Sequence, residues 1–206
     1  MEGVLDLFPE TESKGIATIS HIVFSEKEDP LFNMRAVRDG GWLFHMTDGK
    51  YVRLHLYGEL VMSDTQMERR SNSDFVYVSH GRVLIAGLGI GLVLKNILPK
   101  KEVTEIVVIE KYQDVIDLVA PKFTDPRIRI ICADIFDWRP QKGEKFNVIY
   151  FDVWSDLCKD NLDEIKKLHN SFKSYVDRTD LNCSMNSWMK TFLRNRRRQE
   201  QRTSYW

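Results

Sequence analysis

The stretch Arg82-Val83-Leu84-Ile85-Ala86-Gly87-Leu88-Gly89-Ile90-Gly91-Leu92 carries the most specific chemistry in the sequence. An apolar run that opens into Gly-x-Gly-x-Gly and then a helical stretch lets a ligand approach bare backbone at a strand end, where amide groups point outward. That is a cradle for a nucleotide-type ligand. A dinucleotide fingerprint would put its third glycine at position 92, which is Leu, so the spacing argues against NAD and FAD. By itself the triplet is also what a tight strand-to-helix turn requires.

Three further apolar runs end in groups that suit the same ligand. Val107-Val108-Ile109 ends at Glu110, a carboxylate able to accept two ribose hydroxyls. Near solvent at a strand end, it should matter for affinity and hardly for folding. Cys132-Ala133 leads to Asp134 and Ile135, where the acid can accept from an adenine amino group and the aliphatic side chain can cover the ring. Tyr150-Phe151 leads to Asp152-Val153-Trp154-Ser155-Asp156, which sets acids and an indole opposite the cradle. Each acid alone could be a helix N-cap; four groups in phase with one repeat make that reading poor for the set. Trp154 can stack on a planar substrate or pack under the last helix, and the sequence leaves both open. His80 could act as a base, although turn histidines are usually solvated.

Positioning four strand ends on one edge takes a parallel sheet. The runs Val83–Ala86, Glu105–Ile109, Ile128–Cys132 and Val148–Phe151 are short and continuously apolar, and they alternate with amphipathic stretches at Leu92–Leu98, Tyr112–Ala120 and Leu162–Tyr175. This is the pattern of strands covered on both faces. A last helix is expected over Met185–Arg198, with Trp188, Met189 and Phe192 on its apolar stripe, unless a short fifth strand forms around Cys183. Before the sheet, Ser63 and Thr65, with Gln66 and Glu68 three residues on, read as capping boxes of a helix reaching Val78. Residues 1–16 read as a loosely held arm. Thr18–Phe24 is strand-like, and Trp42–Met46 leads through Thr47-Asp48-Gly49 into Tyr51–Met62 as a hairpin, with Val52, Leu54 and Leu56 on its apolar face. The expected division is an N-terminal arm with a small antiparallel β unit over 1–62 and a Rossmann-like domain over 63–206.

Composition narrows the class. The chain has 206 residues, 30 basic and 30 acidic, with 43% hydrophobic and 29% charged residues, which suits a globular protein and excludes collagen, coiled coil and wholesale disorder. No apolar run reaches the roughly 18 residues of a membrane span and the first residues are acidic, so a cytoplasmic protein without membrane contact is expected. Three cysteines, Cys132, Cys158 and Cys183, have no metal-ligand spacing, so neither a disulfide frame nor a metal site is expected. Residues 177–206 carry a net charge of +4; a solvated basic helix end is the main reading, with nucleic acid as the lesser one.

On these motifs the sequence resembles the class I S-adenosylmethionine-dependent methyltransferase superfamily, and within it the spermidine synthase-like branch. The resemblance covers about residues 41–156. Ile85, two positions before the first glycine, replaces the acid usual in methyltransferases, and Val83-Leu84-Ile85-Ala86-Gly87 and Leu56-Tyr57-Gly58-Glu59-Leu60 are similar to the polyamine synthases. It implies a class I methyltransferase-type α/β sheet, truncated relative to the usual seven strands, preceded by a small antiparallel β-hairpin unit. It also implies S-adenosylmethionine, or its decarboxylated form, on Gly87, Leu88, Gly89, Gly91, Glu110, Asp134 and Ile135, with Asp152 in the place of the catalytic acid. Ile90, Val61 and the Gln66–Asn72 segment depart from the acid- and tyrosine-bearing pattern that grips a polyamine. The leading expectation is therefore methyl transfer to a small nucleophile, with Asp152 as base and Asp156, Trp154, Glu68 and Asp64 contacting substrate. Aminopropyl transfer from decarboxylated S-adenosylmethionine is one alternative; a non-catalytic adenosyl-binding protein is the other. An exposed sheet edge after so few strands would be covered by a homodimer or by the N-terminal hairpin.

Overall fold

The computed structural model describes residues 1–158 and 160–203. The last three residues of the basic tail lie outside that range. Two sheets make up the frame. The first is antiparallel, in the order β1 (Glu12–Lys14), β2 (Ala17–Phe24), β3 (Gly49–Leu56), β4 (Glu59–Ser63), with helix α1 (Phe32–Gly40) and a 3₁₀ turn at Trp42–Phe44 inserted between β2 and β3.

Two short helices, α2 (Gln66–Ser71) and α3 (Ser73–Val78), lead into the second sheet. This sheet is parallel throughout, with helices between its strands except from β7 to β8: β5 (Gly81–Ala86), α4 (Leu92–Ile97), β6 (Val103–Glu110), α5 (Gln113–Val119), β7 (Ile128–Cys132), β8 (Val148–Phe151), α6 (Asn161–Phe172), β9 (Ser184–Ser187) and α7 (Lys190–Thr203). Its strand order is β7-β6-β5-β8-β9. The order reverses beside β5, and that is where a doubly wound sheet leaves a crevice outside its carboxyl ends.

The apolar runs behave as strands buried on both faces. Val83, Ile85, Ile106, Val108, Val148 and Tyr150 pack into the layer shared with α4, α5 and the antiparallel sheet. Their neighbours Leu84, Ala86, Val107, Ile109, Ile149 and Phe151 pack into the other layer with Leu168 and Phe172 of α6. Alternate residues along each strand thus serve opposite cores, which is why the sequence shows continuous apolar runs there.

Several expectations about the first 80 residues do not hold. The N-terminal arm is not loose: Val4 and Phe8 are fully buried, and the Val4 amide donates to Asp64 (2.9 Å) while Lys95 reaches the Gly3 carbonyl (2.7 Å). The Asp48-Gly49 hairpin does not form. Gly49 opens β3, whose partner across that interval is β2, with Phe24 opposite Gly49. The hairpin turn lies instead at Tyr57-Gly58, where both residues have positive φ (52° and 83°), the backbone a two-residue type I′ connection requires. Nor do capping boxes form. Ser63 and Thr65 bond each other through their hydroxyls at 3.0 Å, and the expected single helix breaks at the fully buried Asn72.

The C-terminal expectation is corrected in part. Residues 184–187 form β9, paired in parallel with β8, so the helix starts at Lys190 rather than Met185. Trp188 and Met189 are buried as an apolar stripe would have them, but the Trp188 amide donates to the Phe151 carbonyl at 2.9 Å and so continues the sheet.

His80 sits at the opposite edge of the sheet from the crevice. Its imidazole bonds Asp180 Oδ2 at 2.6 Å and faces the Val78 carbonyl at 2.8 Å. It is a tether between α3 and the β9 approach, not a base in the cleft.

Candidate active site

A cleft of about 270 Å³ opens at the carboxyl ends of β5, β6, β7 and β8. Its roof comes from the antiparallel sheet, through Leu54 and Leu56 of β3 and Val61 and Met62 of β4. That roof was not readable from the strand-end motifs.

The glycine turn forms the floor. Gly87 and Gly89 both line the cleft with positive φ (99° and 51°). A Cβ on Gly87 would strike the backbone carbonyl of Asp152, whereas one on Gly89 would strike the movable thioether of Met62. The third glycine does something else: Gly91 faces Phe123 and serves as the left-handed N-cap of α4. Leu88 is also outside the cleft, buried in the core with only its amide turned toward the site.

Glu110 is 7% exposed. Its Oε2 accepts from the Leu88 amide (2.8 Å) and its Oε1 from the Tyr112 amide (3.0 Å). Both oxygens keep a free lone pair for a ligand hydroxyl. The expectation that Glu110 would hardly matter for folding is therefore corrected: it ties the glycine turn to the end of β6. Glu110→Ala should weaken adenosyl binding at least about tenfold and also destabilise the protein by about 2 to 3 kcal/mol, because two backbone donors lose a charged partner. Calorimetric titration beside chemical denaturation checks both.

At the far end Asp134 accepts from the Phe136 amide (2.9 Å) and pairs with Lys111 (3.0 Å). These bonds hold its carboxyl below the usual range. Ile135 and Phe136 complete an apolar wall there, so an acceptor beside flat apolar surface is available to a purine.

At the near end Asp152 and Glu68 line the same cleft. Burial pushes the Asp152 carboxyl up to about 7. Burial, reinforced by the charge of Asp152 and partly offset by the Trp188 indole, raises Glu68 as well. Trp154 lines the wall, its indole N–H donating to Glu164 Oε2 at 2.7 Å. It is held from α6 rather than packed under α7.

Two expected substrate contacts are elsewhere. Asp64 is fully buried away from the cleft; its oxygens accept from the Val52 amide (2.7 Å) and the Val4 amide, and Arg69 pairs with it at 3.2 Å. Removing it strands two buried donors and a cation, so Asp64→Ala should cost about 3 to 5 kcal/mol of unfolding free energy while adenosyl affinity of the folded protein stays within about threefold. Asp156 is exposed and accepts from Asn161 at the start of α6. Lys111, Tyr112, Met62 and Glu164 line the cleft without having been singled out in the sequence; Lys111 and Tyr112 directly follow Glu110, which was the available signal.

With this geometry in place, the fold is a Rossmann-like α/β sheet, and the chain resembles the class I S-adenosylmethionine-dependent methyltransferases. Within that class the chain resembles the spermidine synthase-like branch. No family model matches the chain. It is 25% identical over 124 residues to polyamine aminopropyltransferase 2 of Caldanaerobacter subterraneus subsp. tengcongensis, a match that takes in 52% of this chain and 42% of that relative. The chain thus spans about two fifths of the length of the curated relative it matches. Among solved structures it is similar to spermidine synthase from Thermotoga maritima (TM-score 0.47, 16% identity, 82% of this chain and 52% of the other). It is also similar to N-methyltransferase NodS from Bradyrhizobium japonicum (TM-score 0.42, 12% identity, 53% and 62%) and to the plantazolicin methyltransferase BpumL in complex with SAH (TM-score 0.40, 16% identity, 52% and 41%).

Proposed function

We propose that the protein is an S-adenosylmethionine-dependent group transferase that, most simply, methylates a small nucleophile. The observation that carries this reading is the convergence, in one cleft, of the bare Gly87-x-Gly89 turn, Glu110 and Asp134 at one end and Asp152 at the other. The residues fit an adenosyl group: Glu110 retains lone pairs for the ribose hydroxyls, Asp134 lies beside Ile135 for the base, and the turn is bare at Gly89, with only the movable Met62 thioether over it. Bound there, the sulfonium supplies an electrophilic carbon. The protein's part is to align the nucleophile and take its proton, and Asp152 is the carboxylate placed to do so. Trp154, oriented by Glu164, offers a flat wall for the acceptor. In this reading residues 1–62 roof the site that residues 63–206 build.

A second reading is favoured by the charge of the lining. Among the described residues five carboxylates, Glu68, Glu110, Asp134, Asp152 and Glu164, face the cleft against a single cation, Lys111, which Asp134 already engages. Such a lining repels the carboxylate of a methionine tail and welcomes an amine, which suits decarboxylated S-adenosylmethionine and aminopropyl transfer. Calorimetric titration with S-adenosylmethionine, its decarboxylated form and methylthioadenosine separates the cases. Tighter binding of the first supports methyl transfer and tighter binding of the second supports aminopropyl transfer. Absence of binding to all three removes the transferase reading together with the adenosyl-binding one.

A further inference from the structure

We propose that Glu68 is the positioning partner of Asp152: it stays protonated on the α2 wall, so that the pair's one negative charge rests on Asp152, where the acceptor's proton must go. This deepens the transferase reading and rests on Asp152 as its base. Glu68 is 7% exposed and aimed into the cleft from α2, facing the end of β8. The Trp188 indole opposes this only in part, because that N–H makes its close bond, 2.9 Å, to Ser71. Among the described residues no group donates a hydrogen bond to the Asp152 carboxylate.

Among the described residues nothing nearby neutralises a second charge. On α2, Arg69 is bound to Asp64, and Arg70 donates to the carbonyls of Trp42, Leu43 and His45. On α3 stands another acid, Asp74, and from β8 the buried Tyr150 hydroxyl donates to Asn72 at 2.8 Å. On β6 Glu110 holds two amides and Lys111 holds Asp134, while Glu164 of α6 accepts from Trp154. Two carboxylates lining one cleft whose cation among the described residues, Lys111, is engaged by Asp134 do not both ionise. Glu68, 7% exposed, is the more shielded from solvent and keeps its proton, whereas the half-buried Asp152 is the one that ionises.

The consequence for transfer is a fixed direction for the proton. The acceptor's N–H or O–H proton passes to the Asp152 carboxylate, the electron pair so released forms the bond to the transferred carbon, and the electrons of the breaking carbon–sulfur bond return to sulfur. The Glu68 proton does not move.

Infrared titration of the ligand-free protein tests the assignment. At about pH 8, above the Asp152 midpoint, the C=O stretch of a protonated carboxyl should persist and should vanish in Glu68→Gln, while the Asp152 titration stays near 7 because Gln copies a neutral Glu68. In Asp152→Asn the Glu68 carboxyl should titrate lower by about one unit or more, since the opposing charge is gone. No protonated band at about pH 8, a band that survives Glu68→Gln, or an unmoved Glu68 midpoint in Asp152→Asn overturns the inference. If Glu68→Gln does not fold, as judged by its melting curve, the Asp152→Asn midpoint decides. Adenosyl affinity is measured separately, so a protein that binds no adenosyl ligand yet shows these bands defeats the transferase reading and not the proton's placement.

Discussion

Asp152→Asn is expected to leave adenosyl affinity within about threefold and to lower turnover by about 10² to 10⁴, the contribution of a positioned base. Asn keeps the shape and the hydrogen-bonding reach but has no oxygen basic enough to take a proton. A purely structural role would have been a helix cap, which Asn fills almost as well as Asp. The structure removes that alternative, because no helix begins until Asn161 and the Asp152 backbone is spent on the sheet, its amide donating to the Ala86 carbonyl at 2.8 Å. Release of adenosylhomocysteine or methylthioadenosine from a panel of amines, nucleobases and carboxylates reads the rate, and the product that appears separates methyl from aminopropyl transfer. An unchanged rate in Asp152→Asn would falsify the assignment.

The pH dependence of the same residue adds a check that needs no substrate. In the fold the Asp152 carboxyl holds its proton to about 7, against 3.8 for an ordinary aspartate. The native state therefore binds more protons than the unfolded chain between those values. Its contribution to stability is complete below about 3.8 and is lost as the pH rises through about 7. Asp152→Asn should flatten that part of the stability curve and gain most above pH 7.

Gly89→Val is the second substitution with a large expected effect, and its signature is loss of binding out of proportion to loss of stability. Gly89 has φ of 51° and lies on the cleft floor under Met62. A β-branched residue there adds strain of about 1 to 3 kcal/mol and puts two methyl groups where the ligand must meet backbone. The thioether of Met62 can swing away; a bound adenosyl group cannot. Affinity should fall by more than about a hundredfold while the protein still melts cooperatively. Gly87→Ala provides the contrast, because its Cβ would meet the carbonyl of Asp152. There the obstacle is backbone at the β5–β8 junction, so stability should fall further than in Gly89→Val. Equal losses of stability and affinity in both variants would mean that the turn serves the fold alone.

The parallel sheet was legible in the sequence because its determinants are local. Strands buried on both faces must be apolar at every position, so Val83–Ala86 and Val148–Phe151 announce themselves, and a turn that needs positive φ at Gly87 and Gly89 writes that need as glycine. With the strands in phase, the placement of Glu110, Asp134 and Asp152 on one edge followed. Tertiary structure decided what depends on partners distant in the chain. Asp48-Gly49 has the better hairpin composition, yet β3 must pair with β2 to bury Val52 and Leu54, so the tight turn falls at Tyr57-Gly58 at the cost of a tyrosine in left-handed backbone. A short fifth strand was expected around Cys183, and Ser184–Ser187 becomes β9 because β8 offers it an open edge. Asp64 and Glu68 stand four residues apart and look equally suited to a substrate. Only packing separates them: the N-terminal arm and Arg69 neutralise Asp64 in the core, while Glu68 meets Asp152 without a counter-charge in the cleft. A carboxylate's role is set by the charges and donors around it, and here the deciding ones, Val4 for Asp64 and Asp152 for Glu68, come from elements distant in the chain, a separation that no local pattern encodes.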